Sequence, residues 1–239
     1  MSLETYPLLR VTPHNNMPLQ ARRAFGVGVT GIFLFPSHDV SDDQFIETFE
    51  TTRIALINEV EDPFVGVMAG SNHTSESLFE LVVGSLQSED LSVPPSAAFV
   101  VDAQESRSVV TTTFRAQNAT ALHNMAYFGG FEHQKSVVGQ SERSIASNAQ
   151  LVAGLVDVVV SRVDSLNPFQ AARKAEVVRQ SVSQKPHAAY GRISARNIDQ
   201  LAPYVDKLLL THEVESFVGS GEVCVSSLRG LVLMAKTAS

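Results

Sequence analysis

The chain has 239 residues, 44% hydrophobic and 18% charged, and 18 Lys and Arg against 25 Asp and Glu leave a net charge of −7. That composition excludes a disordered chain, and the acidic balance argues against a nucleic-acid surface. One cysteine, Cys224, excludes an internal disulfide; no run approaches the roughly 20 apolar residues of a bilayer span, and Met1 to Arg10 lacks a signal peptide's apolar segment, so a cytoplasmic protein without membrane insertion is expected.

Short β-branched, apolar runs alternate with helix-like stretches along the chain. Pro7 to Thr12 reads as a strand and Pro18 to Phe25 as the helix after it. Gly31 to Pro36 is the next strand. The helix that follows, Ser41 to Val60, has Ser41 as its cap and Phe45, Ile46, Phe49, Ile54 and Ile57 close to a 3.6-residue period. Pro63 to Ala69 leads into a helix over Ser75 to Leu86, with Leu78, Leu81 and Val82 on one stripe. Ala97 to Asp102 is a fourth strand, followed by an irregular connection that runs to Asn124. Met125 to Phe131 forms the fifth, although Gly129 and Gly130 weaken it. Ser141 to Leu155 suits a helix. Asp157 to Ser161 is the clearest strand of all, and the helix over Asn167 to Val182 has Asn167 as cap and Pro168 in its first turn. Pro186 to Ile193 and Lys207 to Thr211 are the last strands, with helices over Arg196 to Leu201 and Val225 to Lys236.

Eight strand-plus-helix units of about 30 residues point to a parallel sheet with right-handed crossovers. The expected fold is an eight-stranded parallel (β/α)8 TIM barrel, an architecture of about 250 residues. A doubly wound open sheet of five or six strands is the alternative, and it leaves two or three runs unplaced. No linker rich in Gly, Pro or Ser divides the chain, so residues 1–239 are read as one domain.

In such a barrel the loops after the strands converge on one rim, and that rim carries the chemistry. Here the strand ends lead to His14, to Ser37-His38-Asp39, to Asn72-His73, to Asp102, to Glu132-His133, to Arg162 and Asp164, to Arg192 and Ser194, and to His212-Glu213. Loops are polar in any protein, so no single one of these residues is diagnostic. Together they suggest a pocket in which His14, His73, Asp102, His133 and Asp164 move protons near neutral pH. Arg192, Ser194 and His212 also lie at these strand ends.

Imidazole and carboxylate would suit zinc or a related divalent ion, with Asp39, Asp102 and Glu213 as candidate ligands. No H-x-H or H-E-x-x-H spacing occurs, so no metal ligand set and no cofactor is assigned. The turn Gly26-Val27-Gly28 precedes a strand instead of following one and is no dinucleotide fingerprint; a P-loop and a G-x-S-x-G elbow are also absent from the sequence. Cys224 and the set of 13 Phe and 4 Tyr read as packing residues.

The run Tyr190-Gly191-Arg192-Ile193-Ser194-Ala195-Arg196-Asn197-Ile198, followed by Tyr204-Val205-Asp206-Lys207-Leu208-Leu209-Leu210, resembles the glycine-turn and Asp-strand pattern of phosphate-binding barrels. Along the whole chain the sequence is similar to the BtpA family of barrel proteins, through Asp157 to Asn167 and through Phe131-Glu132-His133, where Glu132 stands in place of that family's lysine. His212 to Ser216 and Gly219 resemble the C-terminal part of phosphoribosylanthranilate isomerase. The catalytic cysteine of that enzyme has no counterpart in Leu9-Arg10-Val11-Thr12, which excludes its specific activity. Arg192 stands where a second glycine is usual, and Thr211-His212 where the turn is normally small. These likenesses imply an anion or phosphate site formed by Arg192, Ser194, His212 and the helix beginning near Arg196. They also imply either an enzyme of isomerase or lyase type acting on a small anionic, phosphorylated metabolite, or a non-catalytic BtpA-like scaffold or assembly factor. A divalent-metal hydrolase is the third alternative, and outer-helix apolar positions leave room for a homodimer.

Overall fold

The computed structural model describes residues 3–68, 96–100, 125–131, 139–164, 166–182, 184–211, 214–216 and 219–238. Eight parallel strands form the inner wall: β1 Glu4–Val11, β2 Gly31–Pro36, β3 Phe64–Met68, β4 Ala97–Val100, β5 Ala126–Gly130, β6 Val158–Arg162, β7 His187–Gly191 and β8 Lys207–Leu210. Each pairs with the next, and β8 returns to β1 with Glu4 opposite Lys207 and Pro7 opposite Leu210, so the sheet is closed. This is the (β/α)8 barrel that the alternation of strands and helices implies.

The helices are α1 Met17–Phe25, α2 Asp42–Ile57, α3 Glu142–Ala153, α4 Pro168–Ser181, a single turn α5 Ile198–Leu201 that runs into a 3-10 turn at Ala202–Tyr204, and α6 Val225–Thr237. Their starts follow from side chains that satisfy otherwise orphan N–H groups. Ser41 and Asn167 each form a reciprocal capping box, with Gln44 and Gln170 respectively, and Asn16 and Ser141 accept from Leu19 N and Ser144 N. The helix expected over Ser75 to Leu86 and the connection up to Asn124 lie outside the described residues.

Several boundaries differ from the sequence reading for identifiable reasons. β1 starts three residues earlier than Pro7, because Glu4 to Tyr6 pair with β8, with Tyr6 facing into the barrel. β7 stops at Gly191, whose φ of +123° leaves the extended region. The helix expected from Arg196 shrinks to the single turn α5, because Asn197 spends its side chain closing the preceding turn and Pro203 follows.

Period-two alternation sends Tyr6, Leu8, Phe33, Phe99, Phe128, Val160 and Leu209 into the barrel. Leu9, Val11, Ile32, Leu34, Val65 and Leu208 point outward, under the helices. The interior is packed with rings: Tyr6, Phe33, Phe64, Phe99 and Phe128 stand at centroid separations of 5.1–6.3 Å in tilted and edge-to-face pairs. Gly66 makes room for them, since a Cβ there would stand 2.4 Å from Phe33 Cε1, a ring with no exposed surface. Gly66→Ala is therefore expected to overpack the barrel and cost about 1–3 kcal/mol. Chemical denaturation would read it as a lower midpoint at unchanged slope.

The N-terminal end of the barrel is closed by a polar plug. Lys207 pairs with Glu4, Tyr6 donates its hydroxyl to Glu4, and the Lys207 ammonium sits 5.5 Å from the centre of the Tyr6 ring. Burial, reinforced by Glu4, raises the Tyr6 phenol far above its ordinary value, so it remains a donor at any working pH. The opposite, C-terminal end carries Arg10 and Arg162 on the inward phases of β1 and β6.

Candidate active site at the C-terminal mouth of the barrel

The inward phase of β1 runs Tyr6, Leu8, Arg10, and that of β6 runs Val158, Val160, Arg162, so each inward phase finishes on an arginine at the mouth. Each guanidinium lies against an aromatic face. Arg10 Cζ is 5.1 Å from the Phe35 ring centre and Arg162 Cζ is 5.7 Å from that of Tyr190. Each also has a carboxylate beside it. Arg162 Nε donates to Asp164 Oδ2 at 2.8 Å, and Arg10 Nε stands 3.7 Å from Glu215 Oε1. Tyr190 is set by the same residues: burial pushes its phenol up to about 12, with Arg162 acting to lower it and Asp164 to raise it.

The backbone around these groups is fixed by local hydrogen bonds. Asn15 reaches back from the turn after β1: its Nδ2 donates to Arg10 O at 2.7 Å and to Gly221 O at 3.3 Å, and its Oδ1 accepts from Thr12 N. That side chain ties the end of β1 to the segment between β8 and α6. Behind β6, the buried Lys174 of α4 donates to Arg162 O at 2.6 Å. Asp164 accepts Arg192 N–H on its other oxygen at 2.7 Å, so one carboxylate joins the ends of β6 and β7. Glu215, only 5% exposed in its side chain, accepts Gly219 N–H at 2.7 Å, and its residue bridges antiparallel to Val223.

The turn after β7 differs from an anion-binding nest. Ile193 N–H donates to Gly191 O, Ser194 N–H to Asn197 Oδ1, Arg196 N–H to Ser194 Oγ, and the N–H groups of Asn197 and Ile198 to Ser194 O. Asn197 Nδ2 completes the turn by donating to Arg192 O. These donors are spent within the turn, and the Arg192 side chain is exposed at the rim.

The residues singled out from sequence distribute as follows. Asp164 is in the mouth, half-buried between Arg162 and the Arg192 backbone; Arg192 and Ser194 are on the rim beside it. His14 is exposed on the turn after β1, close enough to Asp39 to act on its charge. The Ser37 hydroxyl chiefly holds the Asp39 carboxyl below its ordinary range, with its own backbone N–H, His38 and His14 adding to the effect against some desolvation. His73, Asp102, His133 and His212 lie outside the described residues. Among the described residues no three His, Cys, Asp or Glu side chains come together to hold a metal ion. Cys224 takes the N-cap position of α6 and is half-exposed, and the hydroxyls of Ser226 and Ser227 lower its thiol to about 7. No described helix is long and apolar enough to cross a membrane.

Arg10, Thr211 and Glu215 were not among the sequence candidates. A usable signal existed for Arg10: a charge at the C-terminal end of an otherwise apolar strand, in the same phase as Tyr6 and Leu8.

Comparison with known proteins supports the fold and stops there. No family model matches the chain, and no curated protein matches it. Solved structures do. Tryptophan synthase subunit alpha from Legionella pneumophila superposes with a TM-score of 0.65 at 10% identity, over 99% of this chain and 92% of that one. A native KDPGal structure gives 0.66 at 12% identity, over 100% and 97%. Phosphoribosyl anthranilate isomerase from Thermus thermophilus gives 0.61 at 10% identity, over 99% and 100%. These identities carry architecture and no activity.

Proposed function

We propose that this protein is a barrel enzyme that binds a small anionic, phosphorylated metabolite at the C-terminal mouth and acts on it by acid–base chemistry of isomerase or lyase type. The observation that carries this reading is the pair of inward arginines, Arg10 and Arg162, each stacked on an aromatic ring and each accompanied by a carboxylate. A charge placed at the end of a barrel strand loses hydration, and an anionic substrate returns that interaction. Arg162 and the rim residues Arg192 and Ser194, with His212, hold the phosphate in this account. Asp164, with one oxygen on Arg162 and the other on a backbone N–H, is the described carboxylate best placed to exchange a proton, with His14 at the rim and His73, Asp102 and His133 as further carriers. The names of the similar structures, a synthase subunit and an isomerase, are compatible with that chemistry. The working form in this reading is a one-domain cytoplasmic protein, alone or as a homodimer.

Thermal unfolding against a panel of sugar phosphates tests the proposal. A true ligand at 100 times its Kd adds about 2.7 kcal/mol, which for a chain of this size raises Tm by roughly 5–10 °C. Arg162→Ala removes a charge-assisted contact worth about 1.5–3 kcal/mol and is expected to weaken that ligand by roughly 10- to 100-fold. A flat response across the panel, unchanged in Arg162→Ala, would instead favour the non-catalytic scaffold. A stoichiometric metal in the purified protein would favour the hydrolase.

A further inference from the structure

Two hydrogen-bond donors at the mouth have no acceptor among the described residues, and both atoms are turned away from solvent: Arg10 Nε and Thr211 Oγ1. Buried polar groups are nearly always bonded, so two orphans, one on β1 and one just past the end of its neighbour β8, call for an explanation. β1 and β8 pair from Glu4 opposite Lys207 to Pro7 opposite Leu210, which carries Thr211 on to the level of Leu8. Thr211 shares the inward phase of Lys207 and Leu209, and Arg10 lies two residues beyond Leu8 on the same face, about 7 Å further along the strand. Among the described residues, the acid beside Arg10 is Glu215, which stands 3.7 Å from Nε, beyond hydrogen-bond reach, and is held there by the Gly219 N–H.

We infer that Arg10 and Thr211 form a seat for a carboxylate group of the substrate, an inference that rests on the mouth being the substrate site. One carboxylate oxygen accepts from the Arg10 Nε–H, the other accepts side-on from the adjoining Nη–H, and the Thr211 hydroxyl donates to the oxygen nearer β8. The Arg10 side chain is 27% exposed, and its guanidinium carbon lies 5.1 Å from the centre of the Phe35 ring. Glu215 sets the class of anion. With a carboxylate only 5% exposed beside Arg10, a singly charged group is accommodated and a phosphate dianion is repelled. The substrate therefore carries an acid group in addition to the phosphate assigned to Arg162 and Arg192.

The test follows the arginine Nε–Hε resonances of the full-length protein by NMR during titration with acetate, with chloride and inorganic phosphate at matched ionic strength as comparisons. The Arg10 signal is the one lost in Arg10→Lys. Acetate should move it saturably, with a half-saturation concentration at least fivefold below that of phosphate. Thr211→Val removes an unbonded hydroxyl at nearly constant volume, so it should fold with an equal or higher Tm and weaken acetate at least fivefold, while Thr211→Ser restores binding. Acetate moving Arg10 no further than chloride does, or Thr211→Val binding acetate like the wild type, overturns the seat. If that happens while sugar phosphates still shift the Arg162 signal, the mouth reading stands; if no mouth arginine responds to any of them, both fail.

Discussion

Gly191→Ala is expected to lose about 3–5 kcal/mol of stability and at least tenfold in affinity for any ligand of the mouth. Two costs combine at this position. Its φ of +123° lies where side-chain-bearing residues are strained by about 1–3 kcal/mol. A Cβ would also fall 2.4 Å from Asp164 Oδ1 and 2.6 Å from Asp164 Cγ. The carboxylate must then swing away from Arg192 N and Arg162 Nε, weakening two hydrogen bonds to a charged group. Because Asp164 is partly exposed, water recovers part of that loss. A double-mutant cycle separates the two costs. In an Asp164→Ala background the overlap is gone, so adding Gly191→Ala should cost only the backbone strain. Equal costs in both backgrounds would mean that the turn, and not the carboxylate, responds to the substitution.

Acidification should remove about 3 kcal/mol of stability between pH 6.5 and pH 4, and His187 is the cause. This imidazole is fully buried on the outer side of the β6–β7 wall, with Nδ1 2.9 Å from Tyr204 O and Nε2 2.8 Å from Ser161 Oγ. A carbonyl only accepts, so Nδ1 carries the proton and Nε2 accepts from the serine hydroxyl. Burial is the main cause of a value lowered to about 4; the Tyr204 carbonyl and Asp206 act to raise it, Arg179 and Lys174 to lower it. Between about 4 and the ordinary 6.5, the unfolded chain binds a proton that the folded one refuses. The stabilisation is therefore complete above pH 6.5 and is lost as pH falls toward 4, each unit being worth about 1.4 kcal/mol. His187→Phe should abolish this step in the pH profile. It should also cost about 2–5 kcal/mol at pH 7.5, since it strands the Ser161 hydroxyl and the Tyr204 carbonyl. Urea unfolding at pH 7.5, 5.5 and 4.5 reads both effects. The Ser161–His187 pair looks like a nucleophile and its base, but both side chains lack any exposed surface, so it serves packing.

The barrel was legible because its signal is repeated. Eight short apolar runs, most of them followed by a helix-like stretch, specify strands whose edges move by no more than three residues, the largest shift being at Glu4. What the pattern could not supply was the phase of each strand at its last residue, and the site depends on that phase. Arg162 was visible as a strand end, yet its contact with Tyr190 requires the pairing of β6 with β7. Glu215 becomes a neighbour of Arg10 only because the chain after β8 folds back to bridge Val223 and closes against β1 through Asn15 and Gly221. The turn after β7 shows the opposite case. Its Tyr-Gly-Arg-Ile-Ser run resembles the pattern of phosphate-binding barrels, whereas Asn197 and Ser194 take up the turn's backbone donors locally, a competition that a motif does not register.

The most direct test is a crystal structure of the protein soaked with the sugar phosphate that stabilises it most. Density for the ligand within hydrogen-bond distance of Arg162 and Arg10, enclosed by Phe35 and Tyr190, is the expected result. A ligand bound elsewhere, on the outer helices or at the Glu4–Lys207 end, with both arginines untouched, would contradict the account.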